Sequence, residues 1–309
     1  MLRFMFHRFL MMIFVLLGVS FIVYFLMDLA PGDIVVMMAP QDATEEQIAM
    51  LRKELGLDGT LMERYIRYMG GLFRGDLGMS MSLKKPVTEV FFTRFPETFK
   101  LAFGSIFVAL LISVPLGIAA ATRHRSWLDG VSMVAAMLGL SMPGFWLGLL
   151  LIMGFSLKLQ WLPSGGSTGV SSLILPAITL GVSQAGHLTR ITRSSMLEVI
   201  RQDYLRTARA KGVSERMVIR KHALRNALIP IITVFGSTLG NAFGGAVAIE
   251  TVFSWPGVGR LTVQAINSRD IALTTGCIIM FTMFLTLTLL IVDIAYAYVD
   301  PRVKARYLQ

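Results

Sequence analysis

The chain has 309 residues, of which 54% are hydrophobic and only 16% are charged. Soluble domains carry about 25% charged residues, so this composition indicates an integral membrane protein. The formal net charge of +10 would also suit a nucleic-acid-binding protein, but Lys and Arg accumulate on the cytoplasmic side of membrane proteins, and no nucleic-acid partner is expected. The single cysteine, Cys277, excludes an intramolecular disulfide and a cysteine metal cluster.

Six segments are predicted to span the membrane, because a span needs about 20 mostly apolar residues. The first follows "MLRFMFHR" and is predicted to be retained, since its apolar run is too long for a usual signal peptide and "MDLAPGD" is a poor cleavage site. The fourth is the weakest, because it is short and contains Gln184 and His187. The segments are 9–29, 101–122, 131–157, 173–188, 228–249 and 272–292.

Basic residues in the short connections predict the orientation of the chain. They are concentrated before the first span, between spans two and three, between spans four and five, and after span six. Both termini are therefore expected in the cytoplasm, and the long segment between spans one and two is expected outside. The predicted divisions are 1–30 (N-terminus and first span), 31–100 (outer helical segment), 101–299 (core membrane domain with a cytoplasmic loop at 190–227) and 300–309 (cytoplasmic tail).

Residues 31–100 are predicted to form a small helical cap. The sequences "TEEQ" at 44–47 and "TLME" at 60–63 both fit a capping box, in which a hydroxyl and a side chain three residues later close free helix amides. Gly56 and Gly59 separate the two predicted helices. Acidic and basic residues nearly balance in this segment, so it is not a basic binding arm.

The sequence contains no catalytic pattern. No Walker A loop is present, so the chain is not expected to hydrolyse ATP. No histidine pair has the H-x-x-x-H spacing of a metal site, and no cofactor or metal is expected on this chain. The four histidines are His7, His124, His187 and His222.

Polar or kinked positions inside the spans are candidates for a translocation path. Proline in "SMPGFW" is predicted to kink span three, and broken helices often line cavities. Two polar residues three apart share a face of span four, and two polar residues four apart form a stripe on span five. Hydrogen bonding between packed helices is the alternative. The candidates are Ser141, Pro143, Gln184, His187, Ser237 and Asn241.

Small residues on span five predict close helix packing. Gly236, Gly240 and Gly244 repeat every four residues, which lets another helix approach closely. The approaching helix belongs either to this chain or to a second membrane subunit, and the glycines alone leave both alternatives open.

The basic segment before span five is predicted to contain two helices around a glycine. The first covers 198–211 and is stopped by Gly212, and the second starts after Ser214 as N-cap and ends near Arg225. A segment that only bound acidic lipid would not need a glycine between two capped helices. A protein partner is therefore favoured.

This segment resembles the E-A-A-x-x-x-G motif of bacterial ABC importer permeases. "RTARAKG" places Arg206 where glutamate is usual and Gly212 at the glycine. The motif continues with I-x-L-P, which is similar to "HALR" at 222–225: Leu224 fits, but Arg225 replaces the proline. The residues that this resemblance implies for ATPase coupling are Arg206, Thr207, Ala208, Gly212, Val213, Ser214, Glu215, Met217, Val218, His222, Leu224 and Arg225.

Further motifs, in order along the chain, resemble the dipeptide/oligopeptide/nickel permease family. They are "LAPGD", "ELGLDG", "RGDLGMS", "LSMPGFWLGLLL", "KHALRNALIP", "VFSWPGVGRL" and "DPRV". The arginine in place of proline, and "PGD" directly after span one, are similar to the first, dipeptide permease B-like, of the family's two permease subunits. The motifs cover essentially the whole chain, but they specify the family much more closely than the cargo.

The resemblance implies an all-α membrane protein with the type I ABC importer permease fold and six transmembrane helices, in the bacterial inner membrane. It implies a second permease, two ATPase subunits that bind ATP and Mg²⁺, and an extracytoplasmic solute-binding protein. The implied cargo is a di- or oligopeptide, with nickel chelates, glutathione, opines or sugars as alternatives. A stand-alone secondary transporter or channel is disfavoured, because the charged residues fall at span ends or in loops.

Overall fold

The computed structural model describes residues 2–29, 35–36, 39–40 and 42–299. Within them the chain is mainly α-helical, as predicted, and the sheet that they contain has two strands of two residues each. These residues form two compact units. We call Leu2–Pro96 with Arg260–Thr286 the cap unit, and Glu97–Gly259 with the described residues from Leu287 onward the bundle unit.

The cap unit contains both predicted capping boxes. The Thr44 hydroxyl accepts a hydrogen bond from the backbone amide of Gln47, and the backbone amide of Thr44 donates to the Gln47 side chain. Thr60 and Glu63 make the same two hydrogen bonds. The elements are α1 (Leu2–Leu29), α2 (Glu45–Glu54), α3 (Leu61–Phe73), the antiparallel strands β1 (Met79–Ser80) and β2 (Lys85–Pro86), the start of α4 (Val87–Thr122), the end of α11 (Val258–Asn267) and the first part of α12 (Ile271–Val299).

A buried carboxylate organises the loops of the cap unit. Asp270 accepts hydrogen bonds from the hydroxyls of Ser80 and Ser82, at 2.6 and 2.8 Å, and from the Ser82 amide. Its second oxygen accepts from the Leu273 amide in the first turn of α12. The same side chain therefore caps a helix and holds the β1–β2 turn, which the sequence analysis did not foresee.

The bundle unit contains most of the long helices. It comprises the rest of α4, α5 (Trp127–Ser141), α6 (Gly144–Leu151) continued by a π-helical turn at Ile152–Lys158, α7 (Val170–Ile200), α8 (Asp203–Ala210), α9 (Glu215–Met217), a π-helical turn at Val218–Ala223, α10 (Leu224–Val252), the start of α11 and the end of α12.

Glycines let α7 pack closely between its neighbours in the bundle unit. A Cβ atom added to Gly181 would lie 2.6 Å from the Ser105 carbonyl oxygen of α4. A Cβ atom added to Gly186 would collide with the Ala136 carbonyl oxygen of α5. Backbones that approach this closely leave no room for a side chain, so α7 is locked against both helices.

Four of the six predicted spans correspond to helices that are long and apolar enough to cross a membrane, among the described residues. Predicted span three is instead a pair of helices, α5 and α6 with its π-helical turn, bent by 102° where Pro143 precedes α6. This confirms the predicted kink. Predicted span four lies within the 31-residue helix α7, which is not among the four long apolar helices of the described residues. The count of six spans therefore stays a prediction.

Candidate coupling site

The basic segment forms two helices around Gly212, but their boundaries differ from the prediction. A single helix over 198–211 was wrong: α7 ends at Ile200, and α8 starts at Asp203 after the extended residue Gln202. An aspartate in the first turn favours a helix start, and the buried Leu205 turns α8 onto the bundle. The second helix does not end near Arg225 either, since it continues through the π-helical turn into α10.

Proline does not end this second helix, because Pro230 lies inside α10. Membrane helices tolerate proline, since local 3₁₀ or π adjustments and neighbouring groups satisfy the freed backbone atoms. The π-helical turn at Val218–Ala223 comes directly before α10. The start of the second helix was predicted in the right place, but the Ser214 side chain makes no capping hydrogen bond there.

Gly212 ends α8 through a Schellman turn. Its φ is +77°, a left-handed conformation that residues with a Cβ atom rarely adopt. The Gly212 amide donates to the Arg209 carbonyl at 2.9 Å, and the Val213 amide donates to the Ala208 carbonyl at 3.2 Å. In the described part of the chain, no heavy atom lies within 4 Å of a Cβ built at this position. The glycine is therefore needed for its backbone conformation and not for space.

An ion pair joins the two helices across this turn. Arg209 donates from Nε and Nη2 to the two carboxylate oxygens of Glu215, both at 2.9 Å. This contact lowers the pKa of the Glu215 carboxyl and raises the pKa of the Arg209 guanidinium. Glu215 was among the predicted residues, but Arg209 was not. The sequence feature that could have predicted this ion pair is the arginine and the glutamate on opposite sides of Gly212 in "RAKGVSE".

Arg206 is not part of this ion pair between Arg209 and Glu215. Its side chain is 75% exposed, and its nearest acidic group is the exposed Asp203, with a nitrogen–oxygen distance of 3.5 Å. Thr207 is also exposed and donates its hydroxyl to the Asp203 carbonyl. Arg206, which stands where the motif usually has glutamate, is therefore open to a partner. Arg209 instead forms the ion pair within the segment.

The inner face of the segment is anchored in an apolar cluster. Leu205, Val218 and Ala223 are fully buried with Met196 of α7 and Ala121 of α4. The predicted residues Ala208, Val213 and Leu224 pack around this cluster.

The outer face of the segment is exposed, and a polar contact joins its two ends. Met217 is half exposed, and Gly212, Ser214 and Arg225 are also exposed. Asn226 donates to the Tyr204 hydroxyl at 2.7 Å and to the carbonyl of the partly buried His222. We call residues 203–225 the coupling knob, after the role that the sequence resemblance implies for them; their inner face is buried and their outer face is exposed.

A second ion pair holds α7 to the start of α5. Arg193 donates to Asp129 from Nε at 2.6 Å and from Nη2 at 2.8 Å. The Arg125 amide and the His124 ring complete the contacts of this nearly buried carboxylate. The helix that leads into the coupling knob is therefore tied to a neighbouring helix seven residues before its end, and the sequence analysis missed this pair.

The "SWPGVG" loop closes over a buried carboxylate, which the sequence analysis also missed. Glu250 is fully buried and accepts a hydrogen bond of 2.6 Å from the Thr98 hydroxyl, which in turn accepts one from the Val258 amide. A Cβ atom at Gly257 or Gly259 would collide with the Glu250 carboxylate. The loop glycines therefore leave room for this side chain.

The six path candidates lie in different environments. Gln184 is 8% exposed, and neither atom of its side-chain amide has a hydrogen-bond partner among the residues that the structure describes. His187 is partly buried, with Nδ1 3.5 Å from the Arg190 guanidinium. The other four are exposed: Ser141, Pro143, Ser237 and Asn241. Their assignment to a path stays a prediction.

The three glycines of α10 differ in burial and in the space around them. Gly236 is buried, and an added Cβ atom would lie 2.8 Å from Val292 of α12, so this glycine serves packing within the chain. Gly240 is partly buried. Gly244 is exposed, and no heavy atom of the described residues lies within 4 Å of an added Cβ atom. A contact with a second subunit stays a prediction and concerns the Gly244 end.

Long apolar helices packed into a bundle indicate a subunit that crosses a membrane. The chain belongs to the family of binding-protein-dependent transport system inner membrane components: the family model matches residues 113–305, and the model of its N-terminal region matches residues 1–102. Members of this family are permease subunits of ABC importers, in which separate subunits hydrolyse ATP.

Curated relatives match along almost the whole chain. The glutathione transport system permease protein GsiC of Salmonella paratyphi A is 40% identical over 304 residues, which are 98% of this chain and 99% of that protein. GsiC of Escherichia coli K12 is 39% identical over the same length. The resemblance to the peptide/nickel permease family is thus confirmed.

Solved structures show the same fold. The methionine ABC transporter MetNI in an inward-facing conformation matches with a TM-score of 0.60 at 19% identity, covering 72% of this chain and 100% of that chain. An amino acid ABC transporter solved with histidines matches with a TM-score of 0.52 at 16% identity, covering 70% and 94%. The chain therefore has the type I ABC importer permease fold.

Proposed function

We propose that the chain is one of the two permease subunits of an ATP-driven importer of di- or oligopeptides in a bacterial inner membrane. A second homologous permease would complete the path, two ABC ATPase subunits would bind ATP and Mg²⁺, and an extracytoplasmic solute-binding protein would deliver the cargo. This chain would bind no cofactor itself. The observation that carries the proposal is the coupling knob: a glycine turn, braced from both sides, on a permease fold.

The proposed topology has six transmembrane helices, with both termini and the coupling knob in the cytoplasm. Four long apolar helices and one bent pair support the count, and α7 supplies the remaining span in this proposal. The positive charge of the short connections supports the orientation. Residues 31–100 would then lie outside, where a solute-binding protein can reach them.

The proposed mechanism is movement of the coupling knob with the ATPase subunits. ATP binding would close the ATPase pair, and the difference in the affinity for ATP between the two conformations would drive the permease from inward-open to outward-open. A segment that transmits this movement must not flex at the Gly212 turn. The Arg209–Glu215 pair, the Schellman turn and the apolar cluster beneath them all oppose flexing.

A cysteine cross-linking experiment tests the docking of the knob. The native Cys277 is buried, so Ser214→Cys introduces an accessible thiol at the knob. Thr251→Cys, at the opposite end of α10, is the matched control. We expect cross-linking to the ATPase subunit from Ser214→Cys and none from Thr251→Cys. Equal cross-linking from both positions, or cross-linking from Thr251→Cys alone, would contradict the proposal.

The cargo is a separate question, because solute-binding proteins contribute much of the selectivity. The relatives named as glutathione permeases support a peptide-like cargo, since glutathione is a tripeptide, and they make glutathione the first alternative. Nickel chelates, opines and sugars are further alternatives. Uptake into proteoliposomes with the cognate binding protein, compared across dipeptides, oligopeptides, glutathione and Ni²⁺ chelates, decides between them. Saturable uptake of Ni²⁺ chelates alone would refute the peptide assignment.

A stand-alone transporter or channel is the competing class. It predicts that the purified chain moves solute without an ATPase subunit. We expect the chain to co-purify with an ATPase and to transport only when ATP is hydrolysed. Transport by the chain alone, driven by an ion gradient, would establish the competing class.

A further inference from the structure

A cleft beside the coupling knob combines an apolar interior with a cationic rim. Its volume is about 860 Å³. One wall is the last part of α4, and the other runs from Glu215 to Leu224. Its apolar lining residues are Val114, Pro115, Ile118, Ala119, Ile219 and Leu224.

Three arginines supply the charge of the rim. Arg123, Arg216 and Arg220 line the cleft and are exposed, and none forms an ion pair with a carboxylate in the described part of the chain. The acidic lining residue, Glu215, is already engaged by Arg209. The rim therefore presents unneutralised guanidinium groups, which bind phosphate through parallel hydrogen bonds.

We propose that this cleft binds an anionic phospholipid. The phosphate would lie against the three arginines, and an acyl chain would lie along the apolar walls. Charge complementarity and position both favour a lipid: α4 is one of the apolar helices that can cross a membrane, so in the proposed topology the cleft at its end would adjoin the cytoplasmic surface of the bilayer. Basic pockets beside transmembrane helices bind anionic headgroups in this way.

Such a lipid would act on the base of the coupling knob. The wall from Glu215 to Leu224 belongs to the second half of the knob, and Ile118 and Ile219 also pack against its buried cluster. A lipid in the cleft would hold this half of the knob to α4. Anionic lipid would therefore be a positional ligand of the permease, separate from the cargo.

Native mass spectrometry of the full chain tests lipid binding directly. The chain is titrated with phosphatidylglycerol and with phosphatidylcholine of the same acyl chains. The triple variant Arg123→Gln/Arg216→Gln/Arg220→Gln is expected to bind phosphatidylglycerol about 100-fold more weakly, since each basic residue near an anionic surface contributes about fivefold. The charge-matched control, Arg201→Gln/Arg206→Gln/Lys211→Gln, removes three exposed cations outside the cleft and is expected to keep its affinity.

A second variant separates a lipid site from a plain anion site. Ala119→Phe fills the apolar part of the cleft without changing any charge, and it is expected to weaken phosphatidylglycerol binding at least tenfold. Glycerol phosphate, which has no acyl chain, is expected not to compete. Competition by glycerol phosphate at similar concentration, together with unchanged binding by Ala119→Phe, would replace the lipid by a soluble phosphate and overturn the proposal.

Three further outcomes would also overturn it. The first is equal affinity for phosphatidylglycerol and phosphatidylcholine, and the second is equal loss of binding in the triple variant and its charge-matched control. The third is cross-linking of Arg220→Cys to a partner subunit in the assembled transporter, with no lipid retained, which would make the cleft a protein interface. Thermal unfolding of every variant in the same detergent shows whether a loss of binding reflects a loss of fold.

Discussion

The guanidinium group of Arg209 and the carboxylate of Glu215 meet in two parallel hydrogen bonds of 2.9 Å across the Gly212 turn. The two residues belong to successive helices, α8 and α9. Leu205 of α8 and Val218, which directly follows α9 in the π-helical turn, are buried in the same apolar cluster. The turn is thus held on its outer side by an ion pair and on its inner side by packing. A turn held in this way can transmit a force from a bound partner without bending.

The first prediction concerns this ion pair. Glu215→Gln weakens the bidentate contact, and we expect fewer cargo molecules transported per ATP hydrolysed. Exposed pairs contribute only about 0–1 kcal/mol to stability, so thermal unfolding should hardly change. The exchanged variant Arg209→Glu/Glu215→Arg is expected to recover part of the coupling. An unchanged transport-to-hydrolysis ratio in Glu215→Gln would show that the pair does not brace the knob.

The pH dependence of this pair follows from the direction of its pKa shift. Arg209 lowers the pKa of Glu215 from its ordinary value of 4.5, so the carboxylate is ionised throughout the neutral range. The contribution of the pair is therefore complete above the ordinary pKa and is lost as the pH falls through the lowered value. The coupling ratio should show no titration of this pair between about pH 6 and about pH 8.

The second prediction concerns the backbone at Gly212. A left-handed conformation costs a residue with a Cβ atom about 1–2 kcal/mol, and a β-branched residue is the least able to adopt it. Gly212→Val should uncouple hydrolysis from uptake, while Gly212→Asn should be milder. Gly130→Ala, at a helical glycine of α5 that also has no heavy atom within 4 Å of an added Cβ atom, is the control. Wild-type transport by Gly212→Val at normal membrane abundance would refute the coupling role.

The third prediction separates packing within the chain from packing between subunits. Gly186→Leu must displace the Ala136 backbone, so we expect destabilisation of at least about 1–3 kcal/mol and low abundance. Gly244→Leu has open space, so the chain should stay folded but co-purify poorly with its second permease. Thermal unfolding and co-purification measure the two effects. A Gly244→Leu chain that still pairs normally would place the subunit contact elsewhere.

The fourth prediction concerns the buried Glu250. Thr98→Val keeps the side-chain shape but removes one donor to the carboxylate and one acceptor for the Val258 amide, and we expect a loss of about 1–3 kcal/mol of stability. Thr98→Ser keeps the hydroxyl and should unfold close to the wild-type temperature. Equal unfolding temperatures for Thr98→Val and Thr98→Ser would mean that the hydroxyl contributes nothing.

Features that depend on residues close together in the chain were predicted well. The two capping boxes, the kink at Pro143 and the glycine turn at Gly212 are confirmed, because each follows from backbone preferences and hydrogen bonds within a few residues. The helix ends at Ile200 and beyond Arg225 were not predicted. They depend on which side chains must reach the bundle, such as the buried Leu205, and local sequence does not encode that.

The sequence by itself determined the membrane class, the family, and the position of the Gly212 turn. These follow from composition, from the order of short motifs, and from the inability of other residues to replace glycine at positive φ. Only the tertiary structure decided which polar groups meet. Arg193 forms an ion pair with Asp129, which lies 64 residues earlier in the chain. Glu250 accepts a hydrogen bond from Thr98, which lies 152 residues earlier. A buried charge needs a partner, but the folded chain determines which residue is near enough to serve.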